Sequence, residues 1–184
     1  ISDLHFGHAN IMAFDHRPFK SVSEMNAEMV RRWNSVVTNE DQVYILGDFH
    51  WGKEDEWIEV LEQLNGQKFL ILGNHDITPS RARRYFADIK QYKEIEDNGR
   101  KVILCHYPIP CFKNHFYGWF HLYGHVHRTF EYNMTEHSRY LMEELDGHPC
   151  YMYNVGVMMP YMDYTPRTLD EIIAGWETME GRPQ

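Results

Sequence analysis

Lys68-Phe69-Leu70-Ile71-Leu72-Gly73-Asn74-His75-Asp76 decides how this chain is read. Phe69 to Leu72 run without a polar interruption and stop at a glycine, the pattern of a strand buried on both faces. Directly after the stop come Asn, His and Asp, side chains that can hold or orient a metal ion. The arrangement recurs. Val43-Tyr44-Ile45-Leu46 closes on Gly47-Asp48, Lys101 to Cys105 on His106, and Trp119 to Tyr123 on Gly124-His125-Val126-His127. Asp3-Leu4-His5 opens the chain in the same style, so a strand is expected before Asp3, with a few residues ahead of Ile1. In an open α/β fold the loops at strand C-terminal ends converge on one crevice. A crevice holding two Asp, one Asn and several His is a metal site, and hydrolysis is its default chemistry.

Between these strands the helix signals are strong. Ser21-Val22-Ser23-Glu24 has the form of a capping box, and Met25, Met29, Val30, Trp33, Val36 and Val37 follow at helical spacing. Residues 53–65 carry Trp57, Ile58, Leu61 and Leu64 before Gly66. Residues 79–89 read as a third helix, with Arg81, Arg83 and Arg84 on a solvated face. Tyr151 to Val157 reads as a further strand, and Thr168 with Glu171 caps a last helix through Leu169, Ile172, Ile173 and Trp176. Residues 128–149 are polar and irregular and read as an insertion, a lid, or a hairpin with a surface loop. Helix and strand alternate early and strands dominate later, which predicts a sheet-based α/β sandwich in one domain over residues 1–184.

Bulk composition narrows the function. The chain is 43% hydrophobic and 24% charged, as globular proteins are, and its formal charge is −9. That balance disfavours a large nucleic-acid footprint, which needs clustered Lys and Arg. A small phosphate ester is compatible with it, because bound divalent ions invert the local charge. Three cysteines in no CxxC spacing fit reduced thiols in a cytoplasmic protein, and no apolar run is long enough to span a membrane.

Phosphate-ester hydrolysis needs an activated water and neutralised phosphoryl oxygens, and two metals a few ångströms apart supply both. Such a pair wants a bridging carboxylate, neutral imidazoles and further oxygen ligands. Asp3 with His5, and His125 with His127, alternate at strand ends, so each pair is expected to face one side. Gly47 lets the chain turn sharply into Asp48. Asn74 is a neutral oxygen donor. His75 beside it is placed to act on substrate, and Asp76 is expected to orient His75. Any one of the 12 histidines could as easily be packed in the core; the joint placement carries the argument.

The blocks D-x-H, G-D, G-N-H-D, H and G-H-x-H, in order from Asp3 to His127, resemble the calcineurin-like metallophosphoesterase superfamily. Ser2 to His8, Arg17-Pro18-Phe19, Asp41 to Gly52 and Asn154 to Ile173 further resemble a group of small bacterial and phage phosphoesterases. The resemblance implies a four-layer αββα sandwich of two mixed sheets flanked by helices. It implies that Asp3, His5 and His127 hold one divalent transition metal, that Asn74, His106 and His125 hold a second, and that Asp48 bridges them. His75 would protonate the leaving oxygen or stabilise the transition state. Mn, Fe, Zn and Ni all suit the mixed N/O donors, with Mn or Fe favoured. Many relatives carry Asp or Asn shortly after the Gly-Asp pair; here Phe49-His50-Trp51 follows.

Candidate substrate contacts are His8, Arg17, His50 and Arg128, with Phe49 and Trp51 expected near the open metal positions. His8 follows a ligand motif by three residues. Arg17 and Arg128 either clamp phosphate oxygens or pair with an acid. His50 either reaches the site or packs behind it. The leading reading is a metal-dependent phosphoesterase acting on mono- or diesters of a small molecule. The alternatives are a phosphodiesterase acting on nucleic acid and a non-catalytic scaffold that keeps the fold and binds protein partners. The presence of His75 speaks against the scaffold.

Overall fold

Two sheets meet along the first residues of the chain. In the computed structural model, which describes residues 1–180, β1 (Gln42–Ile45), β2 (Gln67–Ile71) and β3 (Phe86–Lys90) form a parallel sheet in that order. The second sheet runs β4 (Tyr92–Asp97), β5 (Arg100–Cys105), β6 (Phe120–Tyr123), β7 (Tyr151–Asn154). Only β4 and β5 pair antiparallel, so the second sheet is mixed and the first is not. Helices α1 (Ala9–Phe14), α2 (Val22–Val36), α3 (Glu54–Gln63), α4 (Phe130–Asp146) and α5 (Leu169–Glu180) flank the sheets, giving the expected sandwich class.

Residues 1–5 stitch the sheets together. Leu46 N donates to the Ile1 carbonyl (2.8 Å), Asp3 N to Gly47 O (3.0 Å) and His5 N to Asp48 O (2.9 Å), which ties this segment to the chain leaving β1. Ser2 N donates to Val155 O (2.8 Å) and Val157 N to Ser2 O (3.0 Å), which ties it to the chain leaving β7. The loops after β1 and β7 are thereby drawn to one place. The main core is shared by Met25, Met29 and Trp33 of α2, Trp57 and Leu61 of α3, Ile45 and Leu70 of the first sheet, and Leu104 of the second. Burial of such side chains contributes roughly 1.5–3 kcal/mol each; packing, more than helix propensity, therefore fixes the helices.

Both predicted caps form. Glu24 N donates to Ser21 Oγ (3.1 Å), although the Glu24 carboxylate takes Lys20 N (2.9 Å), not Ser21 N. Glu171 N donates to Thr168 Oγ1 (3.3 Å), and Thr168 N returns a bond to the Glu171 carboxylate (2.8 Å).

Two expectations are corrected, and one strand appears that the sequence reading did not include. Residues 79–89 are not a helix: a short 3-10 turn, Ala82–Tyr85, leads into β3, because pairing with β2 and burial of Phe86 outweigh local preference. Asn98-Gly99, with φ of 50° and 81°, turns β4 into β5; the Asn-Gly hairpin signal announced a strand that the apolar pattern hid. Residues 130–146 form a regular helix capped by Thr129, whose Oγ1 accepts from Glu131 N, and by left-handed Gly147. Its inward positions mix Tyr132 and Met142 with Thr135 and Arg139, while Phe130, Met134 and Leu145 are exposed, so its apolar stripe is broken. Arg139 is held by Glu136 (3.1 Å) and Glu143 (2.9 Å) and lies over the Trp176 ring. At the start of the chain Ser2 makes a parallel bridge to Gly156, in line with the backbone bonds of Ile1 and Asp3 on either side of it.

Candidate metal centre

The residues that end the strands turn inward through left-handed backbone. Asp3, His5, Asp48, His125 and His127 all have φ between 47° and 69°, a region that non-glycine residues enter only when the surroundings impose it. This corrects the strand-alternation argument for Asp3/His5 and His125/His127: a left-handed kink, not a pleat, aims these side chains. Gly47 (φ 91°) and Gly124 permit the approach. A Cβ on Gly47 would overlap the His106 ring and the Gly73 backbone, and one on Gly124 would overlap the Ser2 side chain and the Asp3 carboxylate.

The result is one cluster. Ligand atoms of Asp3, His5 and His127 lie within 4.8 Å of one another, and so do those of Asp3, Asp48 and His106. Asp48 Oδ2 is 3.6 Å from His5 Nε2 and 3.6 Å from His106 Nε2. Asn74 Oδ1 is 3.0 Å from His106 Nε2 and 2.8 Å from His125 Nδ1. All seven expected donors are thus brought together. His106 Nδ1 is bonded to the Leu46 carbonyl (2.7 Å) and His127 Nδ1 to Asp15 (2.8 Å). Each imidazole is thereby left with Nε2 facing the cluster.

The electrostatics suit a cation. His5 is buried and its Nε2 has no hydrogen-bond partner. Burial, with the nearby His127 and Arg17, drives its pKa far down and keeps the imidazole neutral. Burial raises the Asp48 carboxyl above its ordinary value, with His106 pulling the other way. Burial also lowers His125. His127 is raised: burial works against its charge, but the Asp15 carboxylate and Asp3 prevail. Two buried carboxylates, an amide oxygen and four imidazoles, one with an orphaned buried nitrogen, fit divalent transition metals.

The other expected residues divide. His75 is exposed; its ring is 5.8 Å from that of His5 and 5.2 Å from Trp51, and its backbone N donates to Asp48 Oδ1 (3.0 Å). Asp76 does not orient His75. Its carboxylate accepts from Asp48 N (2.7 Å), Phe49 N (2.9 Å) and Gly73 N (2.8 Å), clamping two ligand turns together. His8 stacks on Trp51 (4.5 Å, 12°) and lies 5.4 Å from the His5 ring. Arg17 is not a phosphate clamp: it is buried, bonds the carbonyls of Asp3 and Leu4 (2.8 Å each) and pairs with Asp15 (2.9 Å). Arg128 is exposed and makes no ion pair among the described residues. His50 is buried beside Trp57, and burial pushes it down to about 4. Phe49 is fully buried against Phe6, Trp57 and Phe86, so it lines no open metal position.

Two contributors were missed. Asp15 holds both His127 and Arg17, and nothing in its sequence setting marks it beyond standing two residues before Arg17. Tyr107, exposed beside His125 (4.6 Å between rings), follows His106 directly and was legible as a neighbour of a ligand.

The comparisons agree with this geometry. The model of the calcineurin-like phosphoesterases matches residues 1–152, and the chain belongs to that family. An uncharacterized protein of Methanocaldococcus jannaschii is 35% identical over 177 residues, covering 94% of this chain and 87% of that protein. The Gene 66 protein of Mycobacterium phage L5 is 41% identical over 78 residues, which are 41% of this chain and 37% of that one. The solved structure of the Aquifex aeolicus protein of unknown function AQ665 superimposes with a TM-score of 0.71 at 28% identity, covering 95% of this chain and 96% of the other. Family membership and the donor cluster together support metal-dependent phosphoester hydrolysis as the general activity class.

Proposed function

We propose that this chain is a dinuclear metallophosphoesterase acting on phosphate mono- or diesters of small molecules. Asp3, His5 and His127 would hold one ion, Asn74, His106 and His125 the other, and Asp48 would be shared between them, with Mn or Fe the favoured metals. The observation that carries the reading is Asp48 Oδ2, equidistant at 3.6 Å from imidazoles of the two proposed ligand sets. When bound, such a pair supplies an activated water and charge neutralisation at the phosphoryl group. His75, exposed at the edge of the cluster, donates a proton to the leaving oxygen. Arg17 and Asp15 fix the chain around Asp3 and His127, and Asp76 fixes the turns that present Asp48 and Asn74. The net charge of −9 favours small substrates over a nucleic-acid backbone. The cytoplasmic placement rests on cysteine usage; for membranes, no helix among the described residues is long and apolar enough to cross one.

The test is turnover of p-nitrophenyl mono- and diesters by protein stripped with chelator and reloaded with Mn, Fe, Zn or Ni. Activity should vanish on stripping and return with metal. Full turnover after stripping overturns the reading.

A further inference from the structure

Beside the metal cluster lies a cavity of about 340 Å³ in which Asn74 and His75 meet Trp51, Trp57 and His50, with Ile77 also lining it. Two of its residues belong to the proposed chemistry and the rest are aromatic, aliphatic or glycine. Among the described residues no Lys or Arg lines it, so it is not built for a second anionic group. Trp51 is 47% exposed and its indole is oriented by stacking on His8 (4.5 Å, 12°) and by the edge of His75 (5.2 Å). Ile77 is 88% exposed, a large apolar side chain standing in solvent. His50 is 5% exposed and its Nδ1 has no hydrogen-bond partner. A buried polar atom left unpaired costs stability unless something completes it.

We infer that this cavity is a leaving-group subsite for a planar, uncharged aromatic group carrying a hydrogen-bonding edge, with Trp51 as the specificity-determining residue. The inference rests on the phosphoesterase reading of the adjacent cluster. With phosphate at the metals, the ester oxygen faces His75, and the group beyond it enters between Trp51 and Ile77. Planar rings stack on an exposed indole whatever their substitution, whereas an alkyl group gains less there.

The test uses ligands that bind but cannot be hydrolysed. Metal-loaded protein is titrated calorimetrically with 2-naphthylphosphonate and with methylphosphonate, for the wild type, Trp51→Ala and Trp51→Phe, with metal content checked in each. The naphthyl compound should bind wild type about 10-fold more tightly, within the range that ring stacking supplies. The ratio should fall towards one in Trp51→Ala and persist in Trp51→Phe, at unchanged metal content. Equal affinities in wild type, or a ratio indifferent to Trp51→Ala, overturn the subsite while hydrolysis of p-nitrophenyl esters still upholds the metal centre. If neither phosphonate binds metal-loaded protein and no ester is hydrolysed, the phosphoesterase reading falls and the subsite falls with it.

Discussion

Asp3, His5 and His127 are buried, and protein stands behind each of them: Arg17 on the Asp3 carbonyl, Asp48 O on the His5 amide, Asp15 on the His127 ring. On the other side Asn74 is exposed and His125 half-buried, and their side chains bond each other; only His106 is buried and anchored there. The same family of ligand atoms is thus set in two environments. A dry, pre-oriented set costs little to organise when an ion arrives, and it exchanges slowly. On the proposed two-metal reading, a solvent-facing set would leave room for substrate and would release its ion first. The difference assigns structure to the Asp3 side and access to the Asn74 side.

The strongest way to break this comparison is at the residue the two sides share. Asp48→Ala should abolish metal-dependent hydrolysis, because it removes the activated water and the charge neutralisation together, and should release both ions. Retention of both ions by the variant would show that Asp48 is not the bridge. His75→Asn should leave metal content intact and lower turnover by about 10²–10⁴-fold, the usual value of general acid catalysis. The loss should shrink for nitrophenolate leaving groups; unchanged turnover removes His75 from the mechanism. Asp15→Asn should weaken the ion on the Asp3 side by about 10–100-fold, as loss of a ligand's supporting carboxylate does, leaving the Asn74 side in place. Competition with a fluorescent chelator reads that affinity, and an unchanged value contradicts the role given to Asp15.

A contrast within the histidines sharpens the point. His121 is as buried as His106, but both of its ring nitrogens meet backbone atoms, Ile109 N donating to Nε2 (3.1 Å) and Nδ1 meeting the Ile103 carbonyl (3.3 Å), whereas His106 Nε2 faces the Asn74 amide oxygen in the donor cluster. Protonation would set an N–H against the Ile109 N–H, and burial pushes the pKa down to about 4. The unfolded chain takes up the proton near pH 6.5, so this contribution is complete above that value and is lost as pH falls towards 4. The loss is on the order of 3 kcal/mol. In chelator, wild-type Tm should drop between pH 7 and 4.5 by more than that of His121→Gln; parallel curves would refute the assignment.

Much of this was legible in the sequence, and the rest was hidden for physical reasons. Strand ends at Gly47, Gly73, His106 and Gly124 were readable because buried strands are continuous apolar runs. The caps at Ser21 and Thr168 were readable because the donor pattern is local. The left-handed kinks at Asp3, His5, Asp48, His125 and His127 were not, since the surroundings impose them on residues with no preference for them. Helix α4 was hidden because Arg139 and Thr135 occupy inward positions where apolar residues are expected. Of the two readings of Arg17 the pairing with an acid, Asp15, holds; its further bonds to the Asp3 and Leu4 carbonyls were not legible, because backbone atoms are announced by no side-chain motif.

The central claim is that two ions sit in unequal halves of one cluster joined by Asp48. Metal stoichiometry by plasma mass spectrometry, after Mn loading and gel filtration of wild type and Asn74→Ala side by side, tests it most directly. The account predicts two ions per chain in wild type and one in Asn74→Ala, the survivor on the Asp3 side. A single ion in fully loaded wild type, or loss of both ions from Asn74→Ala, would contradict it.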